Sequence, residues 1–159
     1  MSTPPETPGN RTGFAISLKG RALRLLAARE QSRAELERKL MIHEESPGQL
    51  AQVLDELQAK DFINESRVVD SVINRKAARF GNARVRHELM GKGLGNEVVL
   101  DAMETLKATE LERAREVWRK KFDAPAADAA GRARQMRFLA SRGFGTETIR
   151  RVIAGPESD

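Results

Sequence analysis

Apolar residues recur along this chain at steps of three and four, the period of a helix with one buried face, and no stretch alternates as a strand would. Residues 18–29 put Ala22, Leu25 and Leu26 on one stripe and predict a first helix. Ser32, with Glu35 three positions on, forms a capping box in which each side chain satisfies a free backbone N–H at the start of a second helix. Ser46 followed by Pro47 suits the cap and first turn of a third. Asn64 opens a fourth, with Val68, Val69, Val72, Ile73 and Ala77 as its buried stripe and an end near Gly81. A helix over 83–90 leads into the turn GKGLG at 91–95, and Asn96 caps the helix that follows. Thr109 and Glu112 make another capping box, ahead of a face formed by Leu111, Ala114, Trp118 and Phe122, with Trp118 as its core anchor. No Gly or Pro interrupts 97–122, so one continuous helix is an alternative there; DAPAADAAG at 123–131 is a linker.

The pattern repeats. GNARVRHELMGKGLGNEVVLDAM, residues 81–103, returns as GRARQMRFLASRGFGTETIRRVI, residues 131–153, at a fixed offset of 50 that aligns Leu89 with Leu139, Gly93 with Gly143, Leu94 with Phe144 and Val99 with Ile149. A fainter upstream copy at an offset of 49 sets Leu36, Leu40 and Leu50 against Val85, Leu89 and Val99. A unit this small buries too little to stand alone and folds by packing on its neighbours. The expected architecture is all-α: three tandem three-helix, helix-turn-helix-like repeats over 18–61, 62–106 and 107–154, with a disordered tail over 1–17 and a short one over 155–159.

Composition narrows the function. Zero cysteines excludes disulfides, thiolate metal sites and thiol catalysis, and fits a reducing cytoplasm. No apolar run approaches a membrane span, and the first residues lack a signal-peptide core, so neither a membrane nor secretion is expected. The net charge of +5 is concentrated: residues 107–154 carry twelve Lys/Arg against six Asp/Glu, whereas 18–61 balance at eight of each. Such a field attracts polyanions.

Candidate chemistry is sparse. GKGLG lacks the phosphate-loop pattern and follows a helix, so it reads as a turn in which glycine supplies the left-handed conformation and Leu94 or Phe144 packs beneath. His43 and His87 have no second ligand or carboxylate at helical spacing and read as surface residues. No nucleophile, metal or cofactor box is present, and the chain is read as a non-enzyme without cofactor or small-molecule substrate. The basic residues are different. Arg75, Lys76, Arg79, Arg84, Arg86 and Lys92 in the second unit, and Arg132, Arg134, Arg137, Arg142, Arg150 and Arg151 in the third, fall on equivalent elements and could line a stripe that follows a phosphate backbone. With no Tyr and one Trp, base-stacking platforms are scarce, so contacts to nucleic acid would be electrostatic and sequence-tolerant. Phe138 falls off the Leu139 stripe, and either packs between units or is offered to a partner.

ALRLLAAREQSRAELERKL at 22–40, FGNARVRHELMGKGL at 80–94 and RQMRFLASRGFGTETIRRVI at 134–153 resemble, in order and wording, the RecX regulatory proteins of bacteria. The wording departs at KDFINESRVVD, 60–70, where Phe62, Glu65, Arg67 and Val68 match in part. The resemblance implies an elongated curved body of three repeats that lies in the groove of the RecA filament on single-stranded DNA. It also implies restraint of RecA's ATP hydrolysis, strand exchange and coprotease activity, in DNA repair and the SOS response, by a protein read here as a monomer. A direct, sequence-tolerant DNA-binding module and a helical scaffold for another protein are the alternatives.

Overall fold

A computed structural model describes residues 15–155; of the tails expected over 1–17 and 155–159, residues 1–14 and 156–159 lie outside the described residues. Among the described residues there are nine α-helices and no strand: α1 Leu18–Ala28, α2 Arg33–Leu40, α3 Gln49–Ala59, α4 Glu65–Lys76, α5 Asn82–Gly91, α6 Asn96–Lys107, α7 Glu110–Lys121, α8 Ala129–Ser141 and α9 Thr146–Ala154. A 3₁₀ turn, Met41–His43, follows α2. The helices close three separate cores. Leu18, Ala22, Leu36, Leu40, Leu50, Leu54, Leu57 and Ile63 form the first; Val68, Val72, Val85, Leu89, Val99 and Leu106 are in the second; Ala114, Val117, Leu139, Phe144, Ile149 and Val152 form the third. Ile63 thus packs with the first three helices although it follows them in the chain.

Side-chain caps open four of the nine helices, at Ser17, Ser32, Asn64 and Asp128. Glu35 N donates to Ser32 Oγ at 3.1 Å while Ser32 N donates to Glu35 Oε1 at 3.2 Å, the expected reciprocal box. Asn64 Oδ1 accepts from Arg67 N at 3.1 Å. Other expected boundaries shift. Gly48, at φ 85 and ψ −9, makes a Pro47–Gly48 type II turn, so α3 starts at Gln49 and Ser46 caps nothing. α4 ends at Lys76, short of Gly81. Gly95, not Asn96, occupies the cap of α6. Thr109 forms no capping box: its backbone is already helical at φ −112, ψ −3, and its hydroxyl donates to Leu106 O at 3.3 Å while accepting from Arg113 Nε at 3.1 Å. The continuous-helix alternative fails at the same place, because the Arg113 guanidinium takes Leu106 O at 3.1 Å, a carbonyl that an uninterrupted helix would use internally.

Trp118 is half-buried against the third core, where Val117 is the buried member of the pair. Its Nε1 donates to Oε1 of the buried Gln135 at 3.2 Å, and Gln135 Nε2 donates to Ala124 O at 3.0 Å. Gln135 aligns with Val85, so the third unit spends a core position on fastening its longer linker.

The three units join in a row, and the two joints share one plan. The start of a middle helix in one unit receives the end of the middle helix in the next. At the first joint Ser32 Oγ donates to Lys92 O, and Arg38 Nη2 donates to Gly91 O at 3.2 Å. At the second, Gly81 N donates to Arg142 O at 2.8 Å, Ala83 N to Gly143 O at 3.2 Å, and Arg84 Nη1 to Ser141 O at 3.0 Å. The carbonyls that every helix leaves unpaired at its C-terminus are thereby satisfied by the neighbouring unit. Gly93 and Gly143 stand at φ 67 and 88, and a Cβ on them would lie 2.6 Å from Ala34 Cβ and 2.7 Å from Arg84 Cβ respectively. The turn glycines are therefore required twice over, by conformation and by approach.

The first joint also holds an ion pair, Lys92 Nζ to Glu35 Oε1 at 3.4 Å, with side chains only 12% and 7% exposed. Burial pushes the Glu35 carboxyl up, but bonds from Arg29 and the Ser32 backbone, with the Lys92 charge, hold it below the ordinary value of 4.5. A carboxyl lowered on folding contributes stability that is complete above its unfolded value and is lost as pH falls through its folded one. Acidification below the ordinary carboxyl value of 4.5 should therefore loosen the first joint first. Amide exchange at the start of α2, measured relative to the start of α5, is expected to accelerate; an unchanged ratio would contradict this.

Candidate anion-binding interface

By the repeat offsets, Glu35 and Lys92 of the first joint correspond to Arg84 and Arg142 of the second. An ion pair at one joint is thus replaced by two like charges at the other. Both guanidinium groups gather on Phe80, Arg84 at 4.6 Å and Arg142 at 5.7 Å from the ring centroid, with Lys76 at 5.2 Å and Arg79 at 5.7 Å. Arg142 also lies 5.2 Å from the Phe138 ring, which Lys121 approaches at 5.7 Å and Phe122 meets edge-on at 5.4 Å. The ring quadrupoles attract these cations one at a time but do nothing for the repulsion among them. Lys76 shares Glu88 with Arg75, at 3.7 and 3.3 Å. Arg79, Arg84, Lys120, Lys121 and Arg142 have no ion-pair partner among the described residues.

Beside the cluster runs a groove of about 260 Å³, with Ala78, Val117 and Phe138 beneath and Arg79, Lys120, Lys121 and Arg142 around it. Phe138 is half-buried, packed on the third core while lining this groove.

The segment that carries Phe80 is held by two side chains of α7. Arg113 donates to Ala77 O at 3.1 Å, Phe80 O at 3.0 Å and Asn82 Oδ1, in addition to Leu106 O. Burial lowers its pKa, against the Glu110 charge, yet an arginine stays protonated. Glu110 accepts from Asn82 N at 3.2 Å and from Gly145 N at 2.9 Å, bridging the starts of α5 and α9 where exposed N–H groups favour a carboxylate. Replacing Arg113 by methionine takes the donor from Ala77 O, Phe80 O and Asn82 Oδ1, while Leu106 O keeps Thr109 N, and should cost about 2 kcal/mol in denaturant unfolding. A change under about 0.5 kcal/mol would show that water serves those carbonyls equally well.

The structure brings together Lys76, Arg79, Arg84 and Arg142 of the expected basic stripe, with Arg75 alongside. The remainder are elsewhere. Lys92 is spent inside the first joint on Glu35, so it does not belong to an open basic face. Arg150 is tied to Glu147 at 2.6 and 3.0 Å, and Arg132 to Ala127 O at 2.9 Å. Arg86, Arg134 and Arg137 are exposed on α5 and α8, and Arg151 is half-buried on α9. Phe80, Lys120 and Lys121 were not expected in the site. Phe80 aligns with Gln31 and Ala130, so the repeat carried no signal for it. Of the two histidines, His87 is exposed and His43 half-buried, and no group of three His, Asp or Glu that could hold a metal occurs among the described residues. No helix among them is long and apolar enough to cross a membrane. The site offers charge and an apolar floor, which suits holding a polyanion.

Comparison with known proteins agrees with the repeat. The model for the first three-helix domain of RecX matches residues 19–57, and that for its third three-helix domain matches residues 108–153. The regulatory protein RecX of Leptothrix cholodnii is 55% identical over 138 residues, covering 87% of this chain and 88% of that protein. The regulatory protein RecX of Herminiimonas arsenicoxydans is 44% identical over 144 residues, covering 91% and 95%. The crystal structure of RecX from Lactobacillus salivarius superposes with a TM-score of 0.74 at 19% identity, over 86% of this chain and 92% of that one, a likeness of fold.

Proposed function

Since the chain belongs to the RecX family of regulatory proteins, we propose that it acts on RecA: it binds the RecA filament on single-stranded DNA and lowers its ATPase, strand-exchange and coprotease activities. In this reading it modulates DNA repair and the SOS response in the cytoplasm, as a monomer and without catalysis of its own. The observation that carries it is the second joint, where Arg79, Arg84 and Arg142 crowd one phenyl ring with no carboxylate to balance them. A nucleoprotein filament supplies the missing negative charge repeatedly along its length, and a row of modules meets it at several points. Each further contact is then effectively intramolecular, which multiplies affinity without a deep pocket. Arg86, Arg134 and Arg137 extend the contact along α5 and α8; Phe138 is the partner-facing aromatic.

The test is a titration of this protein into RecA assembled on single-stranded DNA. ATP hydrolysis should fall at substoichiometric amounts, and no effect at any ratio would remove the proposal. Direct DNA binding is the second reading, favoured by the excess of positive charge in residues 107–154. Four phosphates neutralised on a single strand give a slope near −3 in log affinity against log salt. Oligonucleotide affinity that is indifferent to salt would remove that reading.

A further inference from the structure

We propose that the groove between the end of α4, α7 and α8 is a docking site for an acidic peptide segment that carries one apolar side chain. The floor of Ala78, Val117 and Phe138 takes an apolar group, and about 260 Å³ has room for one side chain of leucine or phenylalanine size. The rim of Arg79, Lys120, Lys121 and Arg142 faces any flanking residues with four cations that no described carboxylate neutralises.

The lining chemistry selects peptide over nucleobase. Ala78, Arg79, Val117, Lys120, Lys121, Phe138 and Arg142 include no side-chain hydrogen-bond acceptor. A base seated there would leave its amino or imino N–H groups unpaired, and burying an unpaired donor is costly. A phenyl or isobutyl group loses nothing on entry. Phosphates can still use the rim from outside, so the two ligands share cations and differ in whether the floor is occupied.

The inference draws on the proposed function only for the expectation that such a segment belongs to a filament protein. The binding is measured on this protein alone, so its failure and the failure of filament inhibition are separate results. A fluorescently labelled acidic peptide with one central phenylalanine is titrated by anisotropy, beside the same peptide with glycine at the centre and a single-stranded oligonucleotide. Burying one phenyl group should make the first peptide bind about tenfold tighter than the second. Ala78→Trp, at an exposed position on the floor, should fill the groove and bring the ratio to about one. Equal binding of the two peptides by the natural protein would overturn the proposal, because rim charge alone would then account for it. So would a tenfold ratio that survives Ala78→Trp, or an oligonucleotide that binds where neither peptide does.

Discussion

Replacing Gly81 by alanine will part the third module from the second. Gly81 sits at φ −77, which any residue adopts, so backbone conformation is not at issue. Space is. A Cβ there would stand 2.3 Å from Phe144 N and 2.4 Å from Gly143 C and O, atoms of the backbone that no rotamer change can move. The substitution must break the 2.8 Å bond from Gly81 N to Arg142 O and push the two units apart. Overpacking typically costs about 1–3 kcal/mol, and a clash with backbone belongs at the top of that range. In a row of modules the cost falls on the coupling between neighbours, so the loss of cooperativity is diagnostic. Trp118, the single tryptophan, reports on the third module, whereas helical ellipticity reports on all. In urea the two probes should coincide for the natural protein and separate for Gly81→Ala. Gly91→Ala is the control: beyond its own helix no atom lies within 4 Å of the added Cβ, and alanine inside a helix is neutral to about 1 kcal/mol stabilising. Coincident, unshifted transitions for Gly81→Ala would show that the joint yields in some other way.

Arg79→Glu combined with Arg142→Glu should weaken binding to single-stranded DNA and to the RecA filament about 100-fold at low salt. Each reversal turns an attraction to a phosphate a few ångströms away into a repulsion, about tenfold at the dielectric of a wet surface. Arg150→Glu should change binding by less than about threefold, because Arg150 is already neutralised by Glu147 on the same helix face and surface pairs carry little net energy. Equal effects of the two variants would mean that overall charge, and not the second joint, governs association.

Much of the architecture is legible in the amino-acid sequence. Leu89 and Leu139 align, and both are fully buried; Gly93 and Gly143 align, and both take left-handed backbone against the preceding module. The Ser32–Glu35 box was legible because capping is local, three residues apart and indifferent to tertiary context. The same rule misled at Thr109, where Arg113 competes for the hydroxyl and for Leu106 O. Gly48 likewise displaced Ser46 as the cap of α3, because the turn before that helix needs left-handed backbone, whereas Gly95 took the cap of α6 from Asn96 at φ −60, a conformation open to any residue. The basic stripe could be placed on the right helices but not sorted. Lys92 and Arg142 occupy equivalent positions with the same charge, and only the change of partner from Glu35 to Arg84 makes one a structural ion and the other an open cation. The cluster on Phe80 was not legible at all. Its members come from α4, α5 and the end of α8, brought together by a joint whose geometry no single helix encodes.

The sharpest measurement uses Arg84→Glu, which rebuilds at the second joint the acid–base pairing found at the first, with Glu now facing Arg142. The bond from Arg84 to Ser141 O is lost and a pair is gained, so thermal stability should stay within a few degrees of the natural protein. Inhibition of RecA ATP hydrolysis on single-stranded DNA should nevertheless weaken about tenfold or more, since the change lowers the charge of the cluster by two and pairs Arg142. A stably folded Arg84→Glu protein that inhibits as well as the natural one would contradict the assignment of this joint as the binding surface.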